Sequence, residues 1–219
     1  LDWTSIAWAA REAFRDAVND WIGKARIRGG QVRGPTAILT PGSLISDGNI
    51  ETTMLQKLIA GRVPPDVART LARELATAWN AWAAGFQALV PGAYPSFAAF
   101  PGPVAPPTPA APIALAQGSS PGEVSLKASV LAGRLSAALR PYANKVQGGS
   151  LDHATKGLAD WIDSSFQEWK GLSKLVGVMG KGSAPTFAPP YVPVGAVLIG
   201  DNASAGPVFA GPRFGKVAI

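Results

Sequence analysis

The stretch LDHATKGLADWIDSSFQEWKGLSKLV, residues 151–176, sets Leu151, Thr155, Leu158, Ile162, Ser165, Trp169, Leu172 and Val176 at alternating steps of four and three. That spacing gathers them on one seam of an α-helix, close to a heptad seam and suited to helix–helix packing. Ser150 stands where an N-cap belongs. The pattern predicts a helix over about 150–177 and an architecture of helix packed on helix.

The same reasoning extends upstream. Trp3, Ala7, Ala10, Phe14, Ala17 and Trp21 form one stripe, predicting a helix over 3–23 that stops at Gly23. Residues 49–61 read as a second helix, capped by Asn49 and carrying Met54, Leu55, Leu58 and Ile59. Pro64 and Pro65 restart the chain. A third helix follows from about Asp66 to Val90, with a stripe of Val67, Leu71, Leu75, Ala78, Trp82, Phe86 and Leu89. A fourth covers about 123–140, on Val124, Ala128, Leu131, Leu135 and Leu139. Short strands are expected at Thr36–Leu39, 191–199, 208–209 and 214–219, with a turn at Gly200-Asp201-Asn202.

Between Leu75 and Gly122 no residue is charged, and residues 91–121 contain nine prolines. Proline confines such a segment to an edge strand or polyproline II. It also carries Tyr94, Phe97, Phe100, Ile113 and Leu115, so an apolar arm lying on a surface is expected rather than a solvated linker.

Two halves of the chain run in the same order. Thr40-Pro41-Gly42 precedes a helical pair that leads into Pro95-Ser96-Phe97-Ala98 and Pro103-Val104. Ser120-Pro121-Gly122 precedes a second pair that leads into Pro185-Thr186-Phe187-Ala188 and Pro193-Val194. The expected fold is mainly α with short β elements (α+β), built as two tandem, duplicated helical units that each end in a proline-rich arm. The divisions are 1–39 (an amphipathic helix and a basic glycine-rich segment), 40–119 and 120–219. The first segment reads as the tail of a third copy.

Composition narrows the chemistry. With no cysteine, disulfides, thiol nucleophiles and iron–sulfur clusters are excluded. The single histidine, His153, lies at the start of a helix beside Asp152, away from any G-x-S-x-G nucleophile motif. Asp160 and Asp163 share a polar helix face with Lys156 and Lys170, the pattern of a solvated surface. In GVMGKGS, residues 177–183, Gly182 separates Lys181 from Ser183 and the helix precedes the loop, so the phosphate-cradling order is missing. No catalytic, cofactor-binding or metal-binding residue is expected. The longest apolar candidate span, Leu75 to Val90, contains Asn80 and Gln87 and falls short of the ~20 residues that cross a bilayer.

Interaction is the remaining class. Hydrophobic residues make up 47% of the chain and charged residues 16%, low for a surface wholly exposed to water. Lys24, Arg26, Arg28 and Arg33 form a basic run with glycines and no acid between them. Four charges give nucleic acid only weak, salt-dependent binding, so a solvated loop is the first reading, with docking onto an acidic protein surface ahead of nucleic-acid contact. Trp79 and Trp82 cannot both centre one narrow stripe, and Trp161 sits at the edge of its seam. With Trp169, Phe97 and Phe187 they are candidate contact residues. The expectation is a non-enzymatic structural subunit of a larger protein assembly, such as a phage-like virion or tail component. Its alternatives are a secreted or periplasmic polymer-binding module with exposed tryptophans and a basic nucleic-acid-packaging accessory.

Overall fold

Asp2 opens the first helix by accepting the Ser5 backbone N–H at 2.7 Å. Asn49 accepts from Thr52 at 2.9 Å and Ser150 from His153 at 3.3 Å at two later helix starts. Each cap satisfies an amide that the first helical turn leaves unpaired.

The computed structural model describes residues 1–33, 36–92, 104–183, 187–188, 192–193, 199–204 and 206–215. It has a mainly helical α+β fold. In chain order its elements are α1 (Trp3–Lys24), β1 (Ala25–Ile27), β2 (Gln31–Arg33), β3 (Thr36–Leu39), β4 (Leu44–Ser46), α2 (Ile50–Ala60), α3 (Pro65–Gly85), β5 (Ala88–Pro91), β6 (Val104–Pro109), β7 (Ile113–Ala114), α4 (Ala128–Leu139), α5 (Leu151–Leu172), β8 (Lys174–Leu175), β9 (Val178–Ser183), β10 (Phe187–Ala188), β11 (Val192–Pro193), β12 (Ile199–Ser204) and β13 (Phe209–Ala210). A 3-10 segment, Pro121–Leu126, leads into α4.

The helices pack as a ring. The short helix α2 lies against α1 and α3, the short helix α4 lies against α3 and α5, and α5 returns directly to α1. An ion pair ties each short helix to a long one: Lys57 to Asp16 at 2.8 Å and Arg134 to Glu74 at 2.9 Å. Asp163 of α5 also accepts the backbone N–H of Ala128 at the start of α4, at 2.9 Å.

The main sheet has six strands in the order β5-β3-β2-β12-β9-β6, every pairing antiparallel. β5 and β6 occupy its ends. Just beyond β6, the Ala111 N–H donates to the Pro91 carbonyl at 3.1 Å, so the two ends approach each other. Register shifts between Ala105 and Thr108, where Pro106 and Pro107 offer no N–H to the ladder.

Each long helix leaves through a short antiparallel pairing with the segment that returns from the sheet. After α1, β1 pairs β4; after α3, Gln87 bridges Ser119; after α5, β8 pairs β13.

Several expectations change. The third helix stops at Gly85, not 90, because Ala88 and Val90 turn inward while Leu89 is 65% exposed, an alternation that only a strand produces. The fifth stops at Leu172, not 177, and residues 178–183 of GVMGKGS form β9. Gly200-Asp201-Asn202 is not a turn but part of β12, held in register opposite Gly182-Lys181-Gly180. Phe214 is fully buried in a turn, while 216–219 lie outside the described residues. The proline-rich arms were expected to lie on a surface. Their described parts instead pair within the chain, and Ala110, Ile113, Leu115 and Val208 are buried in its own core.

Candidate interaction surfaces

Trp79, Trp82 and Trp169 are core residues. Their exposures are 0%, 0% and 2%, so these three candidate contact residues are enclosed within the chain, and Trp79 and Trp82 share one buried face after all. The physical reason is the ring: α3 is covered on several sides, so its buried face is broad enough to hold both Trp79 and Trp82. Their rings are 5.0 Å apart, and Trp82 lies 6.2 Å from Trp21 and 5.7 Å from Trp169. Phe209 stacks among Trp21, Trp82 and Trp169, 5.3 Å from the last. Tilted and edge-to-face pairs of this kind contribute about 0.5–1.5 kcal/mol each beyond area burial. The indole nitrogens of Trp79 and Trp82 have no hydrogen-bond partner among the described residues, so these side chains are held by packing.

Trp21, Trp82 and Trp169 each lie in the last turn of a long helix. Two of these turns are clasped alike. Ser46 Oγ donates to the Trp21 carbonyl at 2.8 Å and accepts the Gly48 N–H at 3.0 Å. Ser120 Oγ donates to the Trp82 carbonyl at 2.7 Å and accepts the Gly122 N–H at 3.1 Å. A Cβ on Gly48 would come within 2.7 Å of Trp21 Cα, and one on Gly122 within 2.0 Å of the Ala81 carbonyl oxygen, so only glycine permits this approach.

Trp161 keeps its edge position. It is half-buried on α5, facing α1, where the Arg11 guanidinium lies 4.8 Å from its ring and 4.3 Å from the ring of Trp8. Trp8 is 56% exposed. Arg11 Nε is enclosed without a hydrogen-bond partner, and Arg11 has no ion-pair partner among the described residues. Burial draws the guanidinium below its ordinary range, while the neighbouring Glu12 charge acts in the opposite direction. Gly215 closes the lower edge: with φ +70°, it lies where a Cβ would meet Trp161 at 2.9 Å and Arg15 at 3.0 Å. Neither Trp8 nor Arg11 stood out in the sequence as a contact residue. The available signal was that Trp8 falls off the stripe running from Trp3 through Ala7 and Ala10.

The basic run is partly neutralised. Lys24 pairs with Asp20 at 2.8 Å and Arg26 with Asp47 at 3.7 Å, acids supplied from outside the run by α1 and the turn before α2. Lys24, Arg26 and Arg28 line one open cleft of about 290 Å³ with Ser46, Asp47 and Ser204, whereas Arg33 is exposed on β2. Arg134 is engaged by Glu74, and Lys145 lies 5.4 Å above the Tyr142 ring. Phe97 lies outside the described residues. The backbone of Phe187 pairs with Pro193 in the β10–β11 ribbon, and its side chain lies outside the described set.

A larger cleft of about 550 Å³ opens between the end of α1, the start of α2 and the end of α3, lined by Trp21, Ser46, Asp47, Asn49, Glu51 and Asn80 among others. His153 is exposed on the first turn of α5. Among the described residues, no three His, Asp or Glu side chains converge as metal ligands, and no helix is long and apolar enough to cross a membrane. Comparison with protein-family models, curated proteins and solved structures finds no match.

Proposed function

We propose that this chain is a non-enzymatic structural subunit of a larger protein assembly, such as a virion or tail component. The observation that carries the reading is the order of the six-stranded sheet. Two strands of the main sheet follow each long helix: β2 and β3, β5 and β6, and β9 and β12; the first and last of these pairs are hydrogen-bonded, while β5 and β6 stand at the two ends of the sheet. The second strand of each pair lies beside the first strand of the next, through β3–β5, β6–β9 and β12–β2. We read this cyclic order, with the clasps at Ser46 and Ser120, as three copies of one unit in a single chain. Each copy has a long helix, a strand pair and a returning segment; the first two add a short helix. This replaces the two-unit division at 40–119 and 120–219 with units led by α1, α3 and α5.

A chain that repeats its surface about a pseudo-axis suits a position in a symmetric assembly, where neighbours meet similar surfaces in turn. The low charge content agrees with part of that surface being covered by protein. The stretches of sequence between β5 and β6 and between β9 and β12, residues 93–103 and 184–198, are rich in proline and aromatic residues and carry no charge. We assign them the contacts to neighbouring subunits.

The test replaces residues 93–103 with a short Gly/Ser link. The variant is expected to keep the helical circular dichroism and melting temperature of the parent while losing self-association or particle incorporation. Undiminished association in the folded variant contradicts the assignment.

A further inference from the structure

Three junctions join the long helices, and two contain a short helix: α2 between α1 and α3, and α4 between α3 and α5. At the third, α5 meets α1 directly, and the exposed face carries Trp8, Arg11 and Trp161. The chemistry of this junction differs from that of the other two. Where short helices are held, the long helices supply carboxylates: Asp16 to Lys57, Glu74 to Arg134, and Asp163 to the start of α4. Counted back from the helix ends, the position of Glu74 on α3 is taken on α5 by Trp161, and that of Asp163 on α5 is taken on α1 by Arg15. The third junction is thus apolar and cationic where the others are acidic. Arg15 is already paired with Glu12 and Asp16, whereas Arg11 is held between two indole rings with Nε enclosed and unpartnered.

We propose that the α1–α5 junction is a docking seat for an amphipathic helix of a neighbouring protein, which lays an apolar stripe on Trp8 and Trp161 and presents a carboxylate to Arg11. Arg11 lies against two indole rings with no ion-pair partner among the described residues, and a guanidinium so placed suits two-fold hydrogen bonding to a carboxylate. A large exposed indole beside it supplies the apolar contact from which such interfaces draw most of their affinity. The carboxylate preference follows from the Arg11 charge, so an acidic helix binds more tightly than its basic counterpart. The proposal deepens the assembly reading by naming one contact and its partner chemistry.

The probe is a pair of stapled, leucine-striped helical peptides of about fifteen residues, identical except that glutamates in one are lysines in the other. Binding to the intact chain is followed by calorimetry and by the tryptophan indole N–H resonances. The glutamate peptide is expected to shift the Trp8 and Trp161 resonances and to bind at least ~tenfold more tightly than the lysine peptide. Arg11→Gln is expected to remove that preference, and Trp8→Ala to abolish binding of either peptide. Both variants change partly or largely exposed side chains, so their melting temperatures serve as the folding check. Equal affinity for the two peptides, unchanged preference in Arg11→Gln, or shifts confined to other tryptophans would overturn the proposal. The mass of the chain in solution is an independent readout. A monomer that still prefers the acidic peptide at this seat keeps the docking site and removes the assembly reading. A multimer that is indifferent to peptide charge does the reverse.

Discussion

Ser120 Oγ donates a 2.7 Å hydrogen bond to the carbonyl of Trp82, at the point where the segment returning from the sheet crosses the last turn of α3. Ser46 makes the same bond to Trp21 at the end of α1. Both serines also cap a glycine amide two residues on, so each side chain satisfies one donor and one acceptor where two backbones touch.

Removing the hydroxyl leaves those backbone groups unpaired. Ser120→Ala is expected to destabilise the fold by about 1–3 kcal/mol, because the site is buried. Ser46→Ala, at a partly buried site, is expected to cost about 0.5–1.5 kcal/mol. Urea titration of both variants checks the order; a larger loss for Ser46→Ala contradicts the account.

Gly122 has no room for a methyl group. Gly122→Ala puts Cβ within 2.0 Å of a backbone oxygen, which must move, so a loss of about 3 kcal/mol or more is expected. Gly133, exposed inside α4 with nothing within 4 Å of its would-be Cβ, gives the opposite sign. Gly133→Ala is expected to gain about 0.5–1 kcal/mol from helix propensity. Thermal melts of the two variants side by side test the pair.

Trp82 is held by shape. Trp82→Ala is expected to cost about 3–5 kcal/mol through the cavity it leaves. Trp82→Phe is expected to cost clearly less, since it keeps most ring contacts and removes an indole N–H that has no acceptor among the described residues. Similar losses for both substitutions in chemical denaturation contradict a packing role.

Asp16 links α1 to α2. Burial pushes its carboxyl up, but the Lys57 hydrogen bond and the Lys57 and Arg15 charges outweigh that and hold it below the usual carboxylate range. A depressed carboxylate contributes stability that is present above its unfolded value, about 3.9, and is lost as pH falls through the folded value. With both partners more than a third exposed, the contribution is under about 1 kcal/mol. Asp16→Asn is expected to flatten that part of the acid limb of a stability–pH profile and to change little at pH 7.

The helices were legible in the sequence wherever an apolar stripe ended at a cap or a glycine, as in α1 and α2. The end of α3 was not, because Phe86 and Leu89 continue a helical stripe and also suit a strand, and the choice is made by the returning Ser119–Gly122 segment. The order of the six-stranded sheet was hidden because its pairings join residues as distant as Val32 and Gly200. Proline marked β6 as extended but could not name its partner. The likeness of Ser46-Asp47-Gly48 to Ser120-Pro121-Gly122 is carried by their hydrogen bonds to the ends of α1 and α3, which the letters alone do not display. Tryptophans drew attention by their rarity. Burial then separated Trp79, Trp82 and Trp169, which build the core, from Trp8 and Trp161, which reach its surface.

For a chain proposed to work as part of an assembly, the first quantity to measure is its mass in solution by light scattering. A mass at two or more times 22.5 kDa is expected, falling toward the single-chain value when residues 93–103 are replaced. A stable single-chain mass at every concentration, with 93–103 protected from protease, contradicts it.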